Sequence, residues 1–284
     1  MPSAALRSLR GYWLLARPHN LAIAGTAIFL GGFITSGVYP LSRLILACIS
    51  GMWIGAGGNA INDVFDLAID RINKPRRPLP ASLVTPGQAK RFAVSCFGLG
   101  TVLAALINPF NFLIALGSSV LLYLYSSILK RTVFWGNLTV AFMLGLALVY
   151  GGLAVGGFRN ALIVGLFAFL YNLPREILKD IEDMEGDRAQ GAVTMPIRYG
   201  VKTALGWATA FLVLLIVATW APYGLGYFSR IYLWIVVIGV DCFAVFSIVS
   251  MWRDPRPARL GRLAVWMKID MLAGLAAVFF GNAA

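Results

Sequence analysis

The sequence predicts an all-α integral membrane protein: nine transmembrane helices around a central cavity, with the N-terminus cytoplasmic and the C-terminus outside. Three observations predict it. Of 284 residues, 59% are hydrophobic and only 13% charged, with a mean hydropathy of +0.78, whereas soluble domains average about 25% charged residues. Apolar stretches of roughly 16 to 22 residues, close to the length that crosses a hydrocarbon core of about 30 Å as helix, recur along the whole chain. The 24 Lys and Arg residues fall almost entirely in alternate connections, which is the asymmetry of a multi-pass protein. Residues 1–284 therefore read as a single transmembrane domain.

The stretches run in order over 21–38, 44–61, 92–107, 110–129, 133–153, 161–178, 201–221, 231–252 and 263–280. The first is preceded by Arg7, Arg10 and Arg17 and lacks a small-residue cleavage site, so it is a retained span. With a cytoplasmic N-terminus, 21 of the 24 basic residues lie on the cytoplasmic side and 3 on the other. Removing one span would scramble that alternation. The net charge of +12 is thereby explained by topology and the lipid bilayer, and nucleic acid is not called for.

The acidic residues carry the functional argument. Nine of the twelve lie in two short windows: Asp63, Asp66 and Asp70 in one, and Glu176, Asp180, Glu182, Asp183, Glu185 and Asp187 in the other. Both windows contain D-x2-D-x3-D followed at once by arginine, as Asp63, Asp66, Asp70, Arg71 and as Asp180, Asp183, Asp187, Arg188. On an α-helix, positions i, i+3 and i+7 fall within an arc of about 60°. Each trio is thus expected to present one acidic face where a span leaves the bilayer on the cytoplasmic side. Like charges so placed need neutralising. Oxygen-seeking divalent cations do this, and Mg²⁺ takes one or two carboxylates while leaving positions for water and phosphate oxygens. Two such trios facing each other would hold metal on either side of a diphosphate. Glu182 and Glu185 fall off the shared face and read as solvated acids.

Cations accompany both windows. Arg71, Lys74, Arg76 and Arg77 follow the first, in a stretch where Pro75, Pro78 and Pro80 preclude a regular helix. Arg175 and Lys179 precede Asp180, one turn apart and just after Pro174. Beside metal-bound carboxylates, such side chains would stabilise a departing diphosphate.

These residues carry a resemblance. Asn59-Ala-Ile-Asn62-Asp63-Val-Phe-Asp66-Leu-Ala-Ile-Asp70 with Asn73-Lys-Pro-Arg-Arg-Pro-Leu-Pro80, and Arg175-Glu-Ile-Leu-Lys179-Asp180-Ile-Glu-Asp183-Met-Glu-Gly186-Asp187-Arg188, resemble the two signatures of the UbiA superfamily of intramembrane prenyltransferases. The likeness covers essentially the whole chain. It implies Mg²⁺ held by Asp63, Asp66, Asp70, Asp180, Asp183 and Asp187. It also implies catalytic roles for Asp63, Asp66, Asp180, Asp183 and Lys130, and substrate contacts from Asn20, Asn59, Asn62, Arg71, Arg76, Arg77, Tyr125, Arg175, Lys179 and Arg188. Both motif forms look most like the branch that attaches a second prenyl chain to geranylgeranylglyceryl phosphate in archaeal-type ether-lipid synthesis. Where the family usually continues Pro-Ser-Gly after the first signature, Pro80 is followed here by Ala81 and Ser82.

The implied reaction is Mg²⁺-dependent ionisation of a prenyl diphosphate, followed by capture of the allylic cation by a lipophilic acceptor, a glyceryl phosphate hydroxyl. An aromatic acceptor of the quinone or chlorophyll type is the alternative. No Ser-His-Asp or Cys-His arrangement suggests a covalent intermediate. A CDP-alcohol phosphotransferase would carry Asp-Gly in its acidic motif, and neither trio contains it. A cation transporter would place its acids near the bilayer midplane, whereas these lie at one face.

Overall fold

The computed structural model describes residues 4–36, 40–189 and 191–281, and every regular element among them is helical. Helices are the form in which each backbone N–H and C=O is satisfied within its own segment, as an apolar solvent requires. The chain runs through α1 (Ala4–Ala16), α2 (Pro18–Ser36), α3 (Leu41–Phe65), α4 (Leu67–Asn73), α5 (Pro86–Ala105), α6 (Pro109–Ser127) and α7 (Trp135–Ala154). It continues through α8 (Phe158–Glu182), α9 (Met184–Ala189), α10 (Met195–Tyr199), α11 (Val201–Gly224), α12 (Arg230–Ile235), a π-helical segment Val236–Asp241, α13 (Cys242–Arg253) and α14 (Pro257–Gly281).

Each of the nine expected stretches falls on a helix. Among the described residues seven helices are long and apolar enough to cross a membrane: α3, α6, α7, α8, α11, α14 and the composite Arg230–Arg253. Helices α2 and α5, of 19 and 20 residues, occupy the other two windows. Val38, the expected end of the first span, and Ala284 at the C-terminus lie outside the described residues. The third stretch begins earlier than hydropathy suggests. Thr85 caps α5, its hydroxyl accepting from the Gln88 backbone N–H at 3.2 Å while Gln88 Oε1 accepts from the Thr85 N–H at 2.8 Å, and Pro86 takes the first helical position.

The chain divides into two compact units, Met1–Lys130 with Tyr150–Gly157, and Arg131–Val149 with Phe158–Ala284. In the first, α3 packs against α2, α5 and α6. Polar groups join these helices: Ser50 donates to the Gly100 carbonyl at 2.7 Å and shares a hydrogen bond with the Tyr150 hydroxyl, and Asn111 donates to the Tyr150 carbonyl at 2.9 Å. A Cβ on Gly151 would strike the carbonyl oxygen of Ile28, so backbone meets backbone there. Helix α1 was not expected. Its Leu15 is buried and Tyr12 meets Phe92, while Leu9 and Trp13 are exposed.

In the second unit, α8 packs against α11 and α14 around Leu178, Ile181, Leu205, Leu212 and Met267. Helix α8 runs without interruption through Pro174. Two acids outside the windows lie inside long helices here, each with neutral donors. Asp270 accepts from the Tyr171 hydroxyl at 2.6 Å, and Asp241, closing the π-helical segment, accepts from Thr219 and Trp220.

Candidate active site

The two trios do not lie on unbroken helices, as the spacing alone predicts. Helix α3 ends at Phe65 and α4 starts at Leu67, leaving Asp66 at the junction; α8 ends at Glu182 and α9 starts at Met184, leaving Asp183 at the junction. Hydrogen bonds of helical spacing still cross both breaks, from the Asp70 N–H to Asp66 and from the Asp187 N–H to Asp183 at 2.8 and 2.9 Å. The middle aspartate of each trio is therefore where the chain turns out of its long helix.

In the first unit the trio is met by the chain's own cations. Asp63, with 2% of its side chain exposed, is paired through one oxygen, Oδ1, with Arg17 and, at 3.3 Å, with Arg77. The same Arg77 nitrogen reaches Asp70 Oδ2 at 2.5 Å, and Asp70 is nearly as buried. Lys130, just past α6, pairs with Asp66 and donates to Asn62 Oδ1 at 3.0 Å, while Asn62 donates to Asp66 Oδ2 at 2.9 Å. Asn59 instead donates to the carbonyl of Ala16 at 2.8 Å. Asn20 is half-buried on α2, Tyr125 half-buried on α6, and Arg71 and Arg76 are exposed. The stretch from Lys74 to Ser82 is a succession of turns, as its prolines require.

The second trio is differently placed. Asp180 accepts from Asn137 at 2.6 Å, and Asp183 and Asp187 make no ion pair among the described residues. Burial, and then the adjacent Asp183 charge, push the Asp187 carboxyl above the usual carboxylate range. Arg175 donates to Asn172 and pairs with Glu176, which Lys179 also approaches at 3.7 Å; Arg188 is exposed on α9. Glu182 does not stand wholly clear, since its carboxylate lies against Gly261, where a Cβ would collide with it. No three His, Cys, Asp or Glu side chains among the described residues converge on a point that could hold a metal ion.

A model of the UbiA prenyltransferase family matches residues 23–271. The chain belongs to that family. Among its UbiA relatives, digeranylgeranylglyceryl phosphate synthase of Methanopyrus kandleri is 41% identical over 271 residues, 95% of this chain and 98% of that one. The enzyme of the same description from Thermococcus sibiricus is 37% identical, covering 94% and 95%. A solved structure described as digeranylgeranylglyceryl phosphate synthase in membranes superposes with a TM-score of 0.89 at 33% identity, over 96% of this chain and 98% of the other. The fold is also that of a UbiA homologue from Archaeoglobus fulgidus bound to GPP and Mg²⁺, with a TM-score of 0.72 at 21% identity over 94% and 99%.

Two polar partners of the UbiA trios escape the motif reading, Arg17 and Asn137. They lie 46 and 43 residues from the aspartates they meet. The available signals are an arginine set directly before Pro18 and an amide near the start of an apolar helix, where an unpartnered amide is costly.

Proposed function

We propose that this UbiA protein is a digeranylgeranylglyceryl phosphate synthase: it transfers a geranylgeranyl group from its diphosphate to geranylgeranylglyceryl phosphate, the second prenylation of an archaeal-type ether lipid. The observation that carries this reading is identity of 34 to 41% over nearly the full length of relatives so described. The protein spans the cell membrane nine times with its N-terminus inside, and the acidic windows face the cytoplasm. The distribution of Lys and Arg supports that orientation.

The donor set suits Mg²⁺. It consists of hard carboxylate oxygens, and an ion that needs only one or two carboxylates beside phosphate oxygens and water does not require three converging side chains. Asp66 and Asp70 of the first unit, and Asp180, Asp183 and Asp187 of the second, are the carboxylates that would hold such ions. When bound, the ion supplies charge neutralisation to the diphosphate. The chain's own residues do the rest. Lys130, held by Asn62 and Asp66, and the cations Arg71, Arg76, Arg175, Lys179 and Arg188 stabilise the pyrophosphate as the allylic C–O bond breaks. The acceptor hydroxyl oxygen then bonds to the allylic carbon and gives up its proton to the released pyrophosphate. Asn137 fixes the Asp180 carboxylate.

Purified protein in liposomes, given radiolabelled geranylgeranyl diphosphate, Mg²⁺ and geranylgeranylglyceryl phosphate, is expected to yield the doubly prenylated lipid and pyrophosphate. Prenylation of 4-hydroxybenzoate with the glyceryl phosphate ignored would overturn the acceptor assignment. A cysteine introduced in segment 74–85 is expected to be labelled only from the cytoplasmic side, and one replacing Leu225 only from outside.

A further inference from the structure

We infer that Arg17 and Arg77 form a two-guanidinium clamp for phosphoryl oxygens, and that Asp63 is the buried residue that positions it. The inference rests on the prenyl-transfer reading above and deepens it.

Consecutive turns of α3 grip consecutive residues of the α1–α2 junction: Asn59 holds the carbonyl of Ala16, and Asp63, four residues on, holds the guanidinium of Arg17. The junction is held in an uncommon backbone state, because Arg17 has φ 54°, in the left-handed region that costs a non-glycine residue about 1 kcal/mol or more. Such a conformation persists only where the surroundings over-determine it. Here they fix where one arginine side chain goes.

Asp63 is the aspartate of the first trio least suited to metal. Its side chain is 2% exposed and both arginines share a single oxygen, whereas Mg²⁺ keeps several waters in its shell. The arginines are the partly open members of the cluster, at 21% and 23% exposure. Each guanidinium carries five N–H donors in a planar fork. Among the described residues Arg17 uses only Nη2 and Arg77 only Nη1. The unused edges of two guanidiniums brought to one carboxylate oxygen can bind one tetrahedral anion, for which the arginine fork is geometrically matched. Two buried carboxylates balance the two arginines when no substrate is present. The ligand class is a phosphate ester, either the prenyl diphosphate or the phosphate of the acceptor.

The test compares Arg17→Gln, Arg17→Lys and Asp63→Asn in the full-length purified protein. It measures KM for each substrate, kcat, the Mg²⁺ concentration at half-maximal rate, and protection of the melting temperature by inorganic pyrophosphate without Mg²⁺. Arg17→Gln is expected to raise one KM about tenfold or more, to reduce pyrophosphate protection and to leave the Mg²⁺ requirement unchanged. Arg17→Lys, which keeps the charge and loses the fork, should fall between. A rise confined to geranylgeranyl diphosphate places the diphosphate in the clamp; one confined to geranylgeranylglyceryl phosphate places the acceptor there. Asp63→Asn should reproduce the Arg17→Gln pattern. Unchanged KM values in Arg17→Gln, or an Mg²⁺ requirement in Asp63→Asn that rises as it does in Asp180→Asn, would overturn the inference. Should the wild type transfer no prenyl group at all, the reading of function fails by itself, and the pyrophosphate melting shift still decides the clamp.

Discussion

The two acidic windows share one spacing and one break at the middle aspartate, yet they differ in what surrounds their charge. In the first, Arg17, Arg77 and Lys130 meet every carboxylate of the trio, and Asp63 and Asp70 are buried with their partners. In the second, Asp180 has an amide, and Asp183 and Asp187 make no ion pair among the described residues. A repeated motif therefore does not mean repeated electrostatics. The first trio is neutral as it stands, so a metal there must share its carboxylates with protein cations. The second carries carboxylates that no cation among the described residues pairs with, and a bound cation would balance them.

The largest consequence is for catalysis. Asp180→Ala or Asp183→Ala should each lower turnover by on the order of 10³, the range seen when a preorganised electrostatic group is lost, with the melting temperature of the metal-free protein little changed. If either variant keeps near wild-type turnover, or if EDTA leaves the wild type active, the second trio is not a metal seat. Stability should show the reverse preference. Arg77→Ala strips the shared cation from two buried carboxylates; such a loss costs about 3–5 kcal/mol in a fully buried pair and less here, where Arg77 is 23% exposed and Asp63 keeps Arg17, whereas Arg188→Ala beside the second trio should leave the melting temperature where it was. Equal melting temperatures for the two arginine variants would mean that the two trios do not differ in how their charge is held. Of smaller effect is Asn137→Ala, which frees the Asp180 carboxylate to rotate. Loss of an outer hydrogen bond to a metal ligand weakens metal binding about 10- to 100-fold, so the Mg²⁺ concentration at half-maximal rate should rise by that factor while kcat at saturating Mg²⁺ recovers. An unchanged Mg²⁺ requirement would make Asn137 a packing residue.

Much of this is legible in the sequence, and the boundary has physical causes. Hydropathy locates the long helices because a bilayer imposes length and composition directly, and the aspartate spacing locates both windows. Helix α1 escapes because 13 residues with exposed Leu9 and Trp13 and buried Leu15 form an amphipathic segment, which no 18-residue apolar window detects. The π-helical segment Val236–Asp241 escapes because a run that is apolar on every side shows no period to be broken. The sharing of Asp63 between two arginines escapes because it joins residues 17, 63 and 77, and spacing rules reach only about a turn or two along one helix. The motif thus identifies the chemistry-bearing carboxylates, and tertiary contacts decide which of them are left for metal.

The same comparison extends to the turns beyond the trios. Past the second, the chain reverses at Gly191 with φ 71°, a conformation glycine adopts at no steric cost. Past the first, the left-handed residue is Ser82, at φ 55°. Its turn is closed by hydrogen bonds from the Ser82 N–H to Leu79 and from the Leu83 N–H to Pro78, at 3.0 and 2.9 Å, so the backbone holds its shape without the serine side chain. An L-residue in this region costs roughly 1–2 kcal/mol, against which glycine's greater freedom in the unfolded chain gives back about 0.5–1 kcal/mol. Ser82→Gly should therefore stabilise the protein by about 0.5–1 kcal/mol, seen as a melting temperature a few degrees higher. Gly191→Ser should move it down, because there the strain is introduced. A Ser82→Gly protein that melts lower would mean that the hydroxyl makes a contact worth more than the strain it imposes, and the first loop would then be shaped by that side chain and not by its backbone turns.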